Sequence, residues 1–236
     1  MDISQHIRDS NMVFRKWENL PSWMKTPEVK VYYDKLKKKK KALYIKRAFD
    51  IFLSAMLILI TFPVFIVISL MIFLDSGGKI IFRQKRVTAY GKVFRIHKFR
   101  TMKRGSESEG SIIAKEEDER ITRVGKKLRK YRLDELPQLF DVFLGDMSFV
   151  GPRPQSVEFV KHFDKASRAV FLMPAGITSE TTLNFLNESE MLKGAEDIDD
   201  AYIKEILPVK MNMQLEEISK FSMINDLKTM IHTLKR

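Results

Sequence analysis

Residues 51–74 read IFLSAMLILITFPVFIVISLMIFL, 24 almost unbroken apolar positions bounded by Asp50 and Asp75. A helix that crosses a bilayer needs about 20 such residues, and no other stretch of the chain approaches that length. Two features argue against a simple crossing. Lys and Arg are enriched on the cytoplasmic flank of a span, yet both flanks are basic here. Lys37 to Lys41, Lys46 and Arg47 precede the run; Lys79, Arg83, Lys85 and Arg86 follow it. Pro63 sits at the centre, where proline removes a backbone hydrogen bond and kinks or breaks a helix. A segment that enters the cytoplasmic leaflet, breaks at Thr61-Phe62-Pro63 and returns to the same side accommodates both facts. A kinked spanning helix is the alternative. The run is not a cleavable signal: it begins 50 residues in, is too long, and has no small-residue cleavage site after it.

Of the 236 residues, about 160 follow the run, which suits one domain of ordinary size. The net charge of +12 suits anionic partners such as nucleic acid, acidic headgroups or phosphorylated small molecules, and the apolar run favours the last two. With no cysteine there is no disulfide framework and no thiolate site. His6, His97, His162 and His232 are scattered, without metal-ligand spacing. Ahead of the run, Phe14, Trp17 and Trp23 alternate with Arg15, Lys16 and Lys25 before the lysine run 37–41. Such a leader suits an interfacial segment on anionic lipid, or equally a solvated tail.

After the run, Asp75-Ser76-Gly77-Gly78 marks a turn. Residues 79–84 and 93–99 read as the strands of a hairpin. Residues 103–120 read as a charged loop near the site, and 121–131 as a short basic helix. Leu136, Leu139, Phe140 and Phe143 fit one helical face, with Asp134 at its N-terminus and Pro137 in its first turn. Gly145 to Val150 reads as strand-like and leads to the turn Gly151-Pro152-Arg153-Pro154. Residues 157–170 read as helical, 172–178 as a turn, 184–207 as partly helical, and 208–236 as ending in an amphipathic helix.

Asp134-Glu135 has an ordinary explanation as an N-cap and a first-turn carboxylate. Its surroundings suggest more. Arg123, Lys126, Lys127, Arg129, Lys130 and Arg132 precede it; Arg83, Arg86, Lys98 and Arg100 lie on the hairpin, and Arg153 is held between prolines. Paired carboxylates amid cations suit a magnesium–diphosphate site, in which Mg²⁺ takes one or two carboxylates plus phosphate oxygens. Arginines bind the phosphates, and a carboxylate can form an acyl phosphate.

Six ordered blocks carry a resemblance. They are Lys46-Arg47-Ala48-Phe49-Asp50, Phe82-Arg83-Gln84-Lys85-Arg86-Val87, Lys98-Phe99-Arg100-Thr101-Met102, Ile121-Thr122-Arg123-Val124-Gly125 with Leu128-Arg129-Lys130, Leu133-Asp134-Glu135-Leu136-Pro137-Gln138-Leu139, and Gly145 to Pro154. The chain resembles the bacterial sugar transferases, the monotopic polyprenyl-phosphate sugar-1-phosphate transferases, over residues 46–180. The resemblance implies transfer of a sugar-1-phosphate from a nucleotide diphosphate sugar to undecaprenyl phosphate at the cytoplasmic face of the bacterial inner membrane, opening assembly of a lipid-linked glycan. It implies a re-entrant helix-break-helix at Pro63, Asp134 as nucleophile, and Glu135 assisting. Mg²⁺ or Mn²⁺ would sit on Asp134 and Glu135. Lys98, Arg129 and Arg153 would bind phosphate, and Arg83, Arg86, Arg100 and Gln138 extend that set by weaker extrapolation.

The implied fold is α+β and mainly helical: an interfacial leader (1–45), a re-entrant membrane hairpin (46–75), and a cytosolic catalytic domain (76–236) with a small β-hairpin and amphipathic interfacial helices. The chain departs from the family in three places. Thr61-Phe62 precedes Pro63 where the family often has Ser directly before Pro. Pro174-Ala175-Gly176-Ile177-Thr178-Ser179 replaces Pro-Gly-Ile-Thr-Gly, which bears on donor specificity. Residues 1–41 lie outside the resemblance, as expected for a small catalytic-core form. Membrane lipids are expected partners, and a homodimer is compatible with the sequence. A relative that binds without turnover is opposed by the intact Asp134, Glu135, Arg129 and Arg153. Nucleic acid is not expected, because no nucleic-acid fold or stacking platform is recognisable.

Overall fold

The structure is a computed structural model and describes residues 13–103, 105, 118–185, 191–192, 194–195 and 197–235. Most of the expected 103–120 loop and part of 184–207 lie outside the described residues.

Helix α1 spans Pro27–Lys38, with Thr26 as N-cap and proline at its start. Helix α2 then runs unbroken for 37 residues, Lys40–Ser76, through Pro63. Here the expected helix–break–helix differs from what is seen. Proline removes one hydrogen bond without ending the helix, and the Thr61 hydroxyl bonds back to the Leu57 carbonyl at 2.7 Å. Among the described residues, α2 is the one helix long and apolar enough to cross a bilayer.

Its two ends are nevertheless tied to one folded body. At the start, Arg47 donates to the carbonyls of Val142 (2.6 Å) and Phe143 (2.8 Å). Nearby, Lys46 pairs with Asp226 at 2.6 Å, and Asp50 accepts from the Ser148 hydroxyl and the Phe149 amide. At the finish, Asp75 accepts from the Val124 amide at 3.1 Å, and Arg100 donates to Ser76 Oγ (2.7 Å) and to the Gly77 carbonyl. Between these clamps, Leu53, Leu57 and Ile58 pack on one cluster, and Phe65, Ile68 and Ile72 on another. The outer face is open: Phe52 is 70% exposed, Leu59 77% and Leu74 74%.

Strands β1 (Ile81–Val87) and β2 (Val93–Phe99) form the expected antiparallel hairpin. Its register sets Phe82 opposite Lys98 and Arg86 opposite Phe94. Because side chains alternate, Gln84, Arg86 and Lys98 share one face, and Arg83 and His97 the other. Helix α3 (Arg123–Lys130) begins at Thr122, whose hydroxyl caps the Gly125 amide. The helix expected from Leu133 starts later. Leu133–Glu135 is a separate 3₁₀ turn and α4 is Gln138–Leu144. Arg132 at φ 54° ends the preceding segment, and Pro137 has no N–H to bond back to the Leu133 carbonyl, so the helical ladder is interrupted there although Leu136 keeps a helical conformation.

Strand β3 (Met147–Val150) pairs in parallel with β4 (Ala175–Thr178), a segment whose sequence reads as a turn. The expected 157–170 helix is only α5 (Val157–Val160), followed by a 3₁₀ stretch, Ser167–Leu172. The Asp164 carboxylate takes the Ser167 amide and favours a turn there. After β4 come α6 (Glu180–Asn184), α7 (Ile198–Ala201), a π-helical turn (Tyr202–Ile206), α8 (Leu207–Ser219) and α9 (Met223–Leu234). Phe221 is a core residue between α8 and α9, while Ile224, Leu227, Ile231 and Leu234 stay exposed on α9.

The leader is divided between core and surface. Phe14, Leu20, Met24, Val29, Tyr33 and Leu36 are buried against Val170, Phe171, Tyr202 and Met211. These side chains join that core cluster, while Val31, Tyr44 and Ile45 of the same leader stay exposed.

Candidate active site

The short turn Leu133–Glu135 brings Asp134 and Glu135 under the hairpin face that carries Lys98 and Arg86. Lys98 Nζ lies 2.6 Å from Glu135 Oε1, and Arg153 Nη2 lies 4.0 Å from the same oxygen. Two backbone contacts deliver Arg153. The Gly176 amide donates to the Pro152 carbonyl at 2.8 Å and the Gly151 amide to the Thr178 carbonyl at 3.1 Å. A Cβ on Gly176 would fall 2.2 Å from the Gly151 nitrogen, so β3 and β4 meet this closely only as a glycine pair. The Val87 amide then donates to the Gln155 carbonyl at 3.0 Å, stapling the Arg153 turn to the end of β1.

Asp134 does not act as a helix cap: α4 has Pro137 at the N-cap position with no side-chain cap. Asp134 is only 9% exposed, and among the described residues no other residue hydrogen-bonds its carboxylate. Burial pushes its pKa above the ordinary 3.8 and the Glu135 charge adds to this, against the pull of Lys98 and Arg129. For Glu135, burial alone would act the same way. The charges of Lys98 and Arg153 and the Lys98 hydrogen bond together outweigh it and hold the pKa at about 2. Two adjacent carboxylates are thus driven apart: one is a fixed anion locked to cations, the other a desolvated carboxylate that no other described residue hydrogen-bonds. Burial and the Arg153 charge bring the Arg86 guanidinium down to about 10, still protonated at neutral pH. Burial also lowers Arg129, which lies close enough to Asp134 and Asp118 to feel both charges.

Of the expected site residues, Asp134, Glu135, Lys98, Arg86, Arg129 and Arg153 are brought together. Arg83 is not: it sits on the opposite hairpin face, exposed, bonded to the Arg95 carbonyl at 3.0 Å. Arg100 is not either; its guanidinium clamps the end of α2. Gln138 is buried in the first turn of α4, one turn from Asp134. Pro63 lies mid-helix and exposed. Sequence reading missed Asp141, whose carboxylate takes both the His97 amide (2.9 Å) and the His97 ring Nδ1 (2.6 Å) and so fastens β2 to α4. It also gave no role to Thr101, which accepts from Arg129 Nε at 2.8 Å. No local pattern announces either pair, because the partners stand 44 and 28 residues apart.

Among the described residues, no group of three His, Cys, Asp or Glu gathers around a point that would hold a metal unaided. The donor set that exists is Asp134 and the second oxygen of Glu135. It suits a cation that completes its shell with substrate phosphates, as Mg²⁺ does.

The family model described as bacterial sugar transferase matches residues 41–236. An N-acetylgalactosaminephosphotransferase acting with UDP-N-acetylgalactosamine and undecaprenyl phosphate, from Aeromonas hydrophila, is 45% identical over 122 residues, 52% of this chain and 29% of that protein. A UDP-glucose:undecaprenyl-phosphate glucose-1-phosphate transferase of Escherichia coli (strain K12) is 37% identical over 168 residues, 68% of this chain and 36% of that protein. One of the same description from Caulobacter vibrioides is 33% identical over 189 residues, 80% of this chain and 68% of that protein. The chain thus aligns with about a third of the first two relatives and about two thirds of the last.

Proposed function

The chain belongs to the bacterial sugar transferase family, and on that premise we propose that it moves a sugar-1-phosphate from a UDP-sugar to undecaprenyl phosphate by way of Asp134. The observation that carries this reading is the contrast between the two carboxylates. Glu135 is anchored by Lys98 and Arg153, whereas Asp134 is desolvated, hydrogen-bonded by no other described residue, and more basic than an ordinary aspartate. A carboxylate oxygen of Asp134 attacks the phosphorus that bears the sugar. The new O–P bond forms as the bond to the nucleotide's inner phosphate breaks, and UMP leaves. A phosphate oxygen of the lipid then attacks the same phosphorus, and the aspartyl bond breaks to restore the carboxylate. Lys98, Arg86, Arg129 and Arg153 hold the diphosphate and offset its charge, so positioning and electrostatics supply most of the rate. Mg²⁺ or Mn²⁺, held by Asp134, Glu135 and the diphosphate, would neutralise charge on the departing phosphate. The names of the three relatives all specify undecaprenyl phosphate as the partner substrate.

The expected result for the purified protein offered a panel of UDP-sugars, undecaprenyl phosphate and Mg²⁺ is UMP release with at least one donor. No release from any donor, with the lipid present, would overturn the assignment.

The membrane reading is that α2 enters and leaves on the cytoplasmic side. It is supported by the clamps at both ends, since Asp50 and Ser76 bond to the same folded body. The exposed Leu, Ile and Phe side chains of α2 each gain about 1.5–3 kcal/mol on leaving water, which favours lipid around them. With no native cysteine, Tyr44→Cys and Lys79→Cys are expected to react with a membrane-impermeant maleimide from the same side of sealed vesicles. Labelling from opposite sides would mean that α2 spans the bilayer.

A further inference from the structure

Thr101 has no part in the reaction above, yet its contacts converge on one of the phosphate-binding arginines. It is 6% exposed, and its hydroxyl accepts from Arg129 Nε at 2.8 Å. Thr101 is itself held, because its carbonyl accepts the Thr122 amide at 2.9 Å. The Thr122 hydroxyl in turn caps the Gly125 amide at 3.0 Å. Gly125 lies flush on Thr101: a Cβ there would fall 2.1 Å from the Thr101 carbonyl oxygen. Helix α3 therefore touches the segment just beyond β2 only because residue 125 lacks a side chain. Arg129 is four residues further on and lies on the same helix face, so its guanidinium returns to Thr101. Among the described residues, no carboxylate lies within ion-pairing distance of Arg129, leaving its outer nitrogens for an anion beside Asp134.

We propose that Thr101 is a positioning residue: its hydroxyl anchors the inner nitrogen of Arg129 so that the outer two present a fixed fork to the donor diphosphate. This rests on the phosphate role assigned to Arg129 above. The same strand end then sets both halves of the site, since Lys98, three residues earlier, holds Glu135. An arginine side chain has many rotamers, and ordering it only when substrate arrives weakens binding. A hydrogen bond at Nε fixes it beforehand.

The test uses the full chain in detergent, with UDP as the probe and a UDP-sugar as substrate. Thr101→Val keeps the shape and removes the hydroxyl; Thr101→Ser keeps the hydroxyl. Thr101→Val is expected to weaken UDP binding and raise KM for the donor about tenfold, as for one lost hydrogen bond to a charged group. Thr101→Ser should stay near wild type. In an Arg129→Met background, Thr101→Val should add nothing, because its effect runs through the arginine. Wild-type binding by Thr101→Val, or effects that multiply in the double variant, would overturn the positioning role. If Arg129→Met alone matches wild type, the phosphate role falls and the positioning role with it. A wild-type chain that neither binds UDP nor releases UMP points instead to failure of the parent assignment, and overturns both.

Discussion

Asp134→Asn is expected to abolish transfer, by about 10³-fold or more, and to leave no phosphosugar–protein adduct. The amide has nearly the carboxylate's shape but lacks the oxygen nucleophile. Loss of activity should not come with loss of fold. The Asp134 carboxylate takes no hydrogen bond from another described residue, and burial raises its pKa, so the native state tolerates its charge poorly. An isosteric neutral group should therefore leave the unfolding midpoint at pH 7 unchanged or slightly raised. The adduct is read by mass spectrometry after incubation with donor alone. Phosphosugar still trapped by the Asp134→Asn variant would remove Asp134 from the nucleophile's position.

Glu135→Gln is expected to cost about 10²-fold in turnover and, unlike the first variant, to destabilise the protein. Glutamine cannot balance Lys98 and Arg153, which the native carboxylate holds at 2.6 Å and 4.0 Å. The pH dependence has a definite sign. The folded-state pKa of Glu135 is depressed to about 2 from an ordinary 4.5, so its contribution is fully present above about pH 4.5 and is lost as pH falls towards about 2. The gap between wild-type and variant melting temperatures should be widest at neutral pH and close on acidification. Equal melting temperatures at pH 7 would mean that the ion pairs contribute no stability.

These opposite expectations for neighbouring residues show where sequence stops. Asp134-Glu135 is visible as a pair, and the six ordered blocks name a family. Nothing in the letters says which carboxylate is locked, because that depends on Lys98 arriving from a strand and Arg153 from a turn. The hairpin and α3 are legible because their signals are local: alternation across a tight turn, and a Thr122 cap ahead of helical spacing. The β3–β4 pairing is not. It joins segments 28 residues apart, Met147 to Ala175, and Ala175-Gly176-Ile177-Thr178 carries the glycine of a turn rather than the bulk of a strand. The leader is ambiguous in its letters. Aromatic residues beside lysines suit a lipid surface, yet Phe14 stacks on Tyr33 at 5.0 Å and both are buried. Only tertiary packing separates the two outcomes.

The clamps on α2 also impose an order on the chain's biosynthesis. Ser76 and Asp75 find partners 24 and 49 residues downstream, whereas Asp50 waits for Ser148, 98 residues later, and Lys46 for Asp226, 180 residues later. A nascent chain emerging from the ribosome can fasten the far end of its apolar helix first. The near end acquires its last tether only once Asp226 has been made. Until then the insertion machinery meets an apolar segment whose starting end is not yet fully tethered, and the fold, rather than the segment itself, ties that end down.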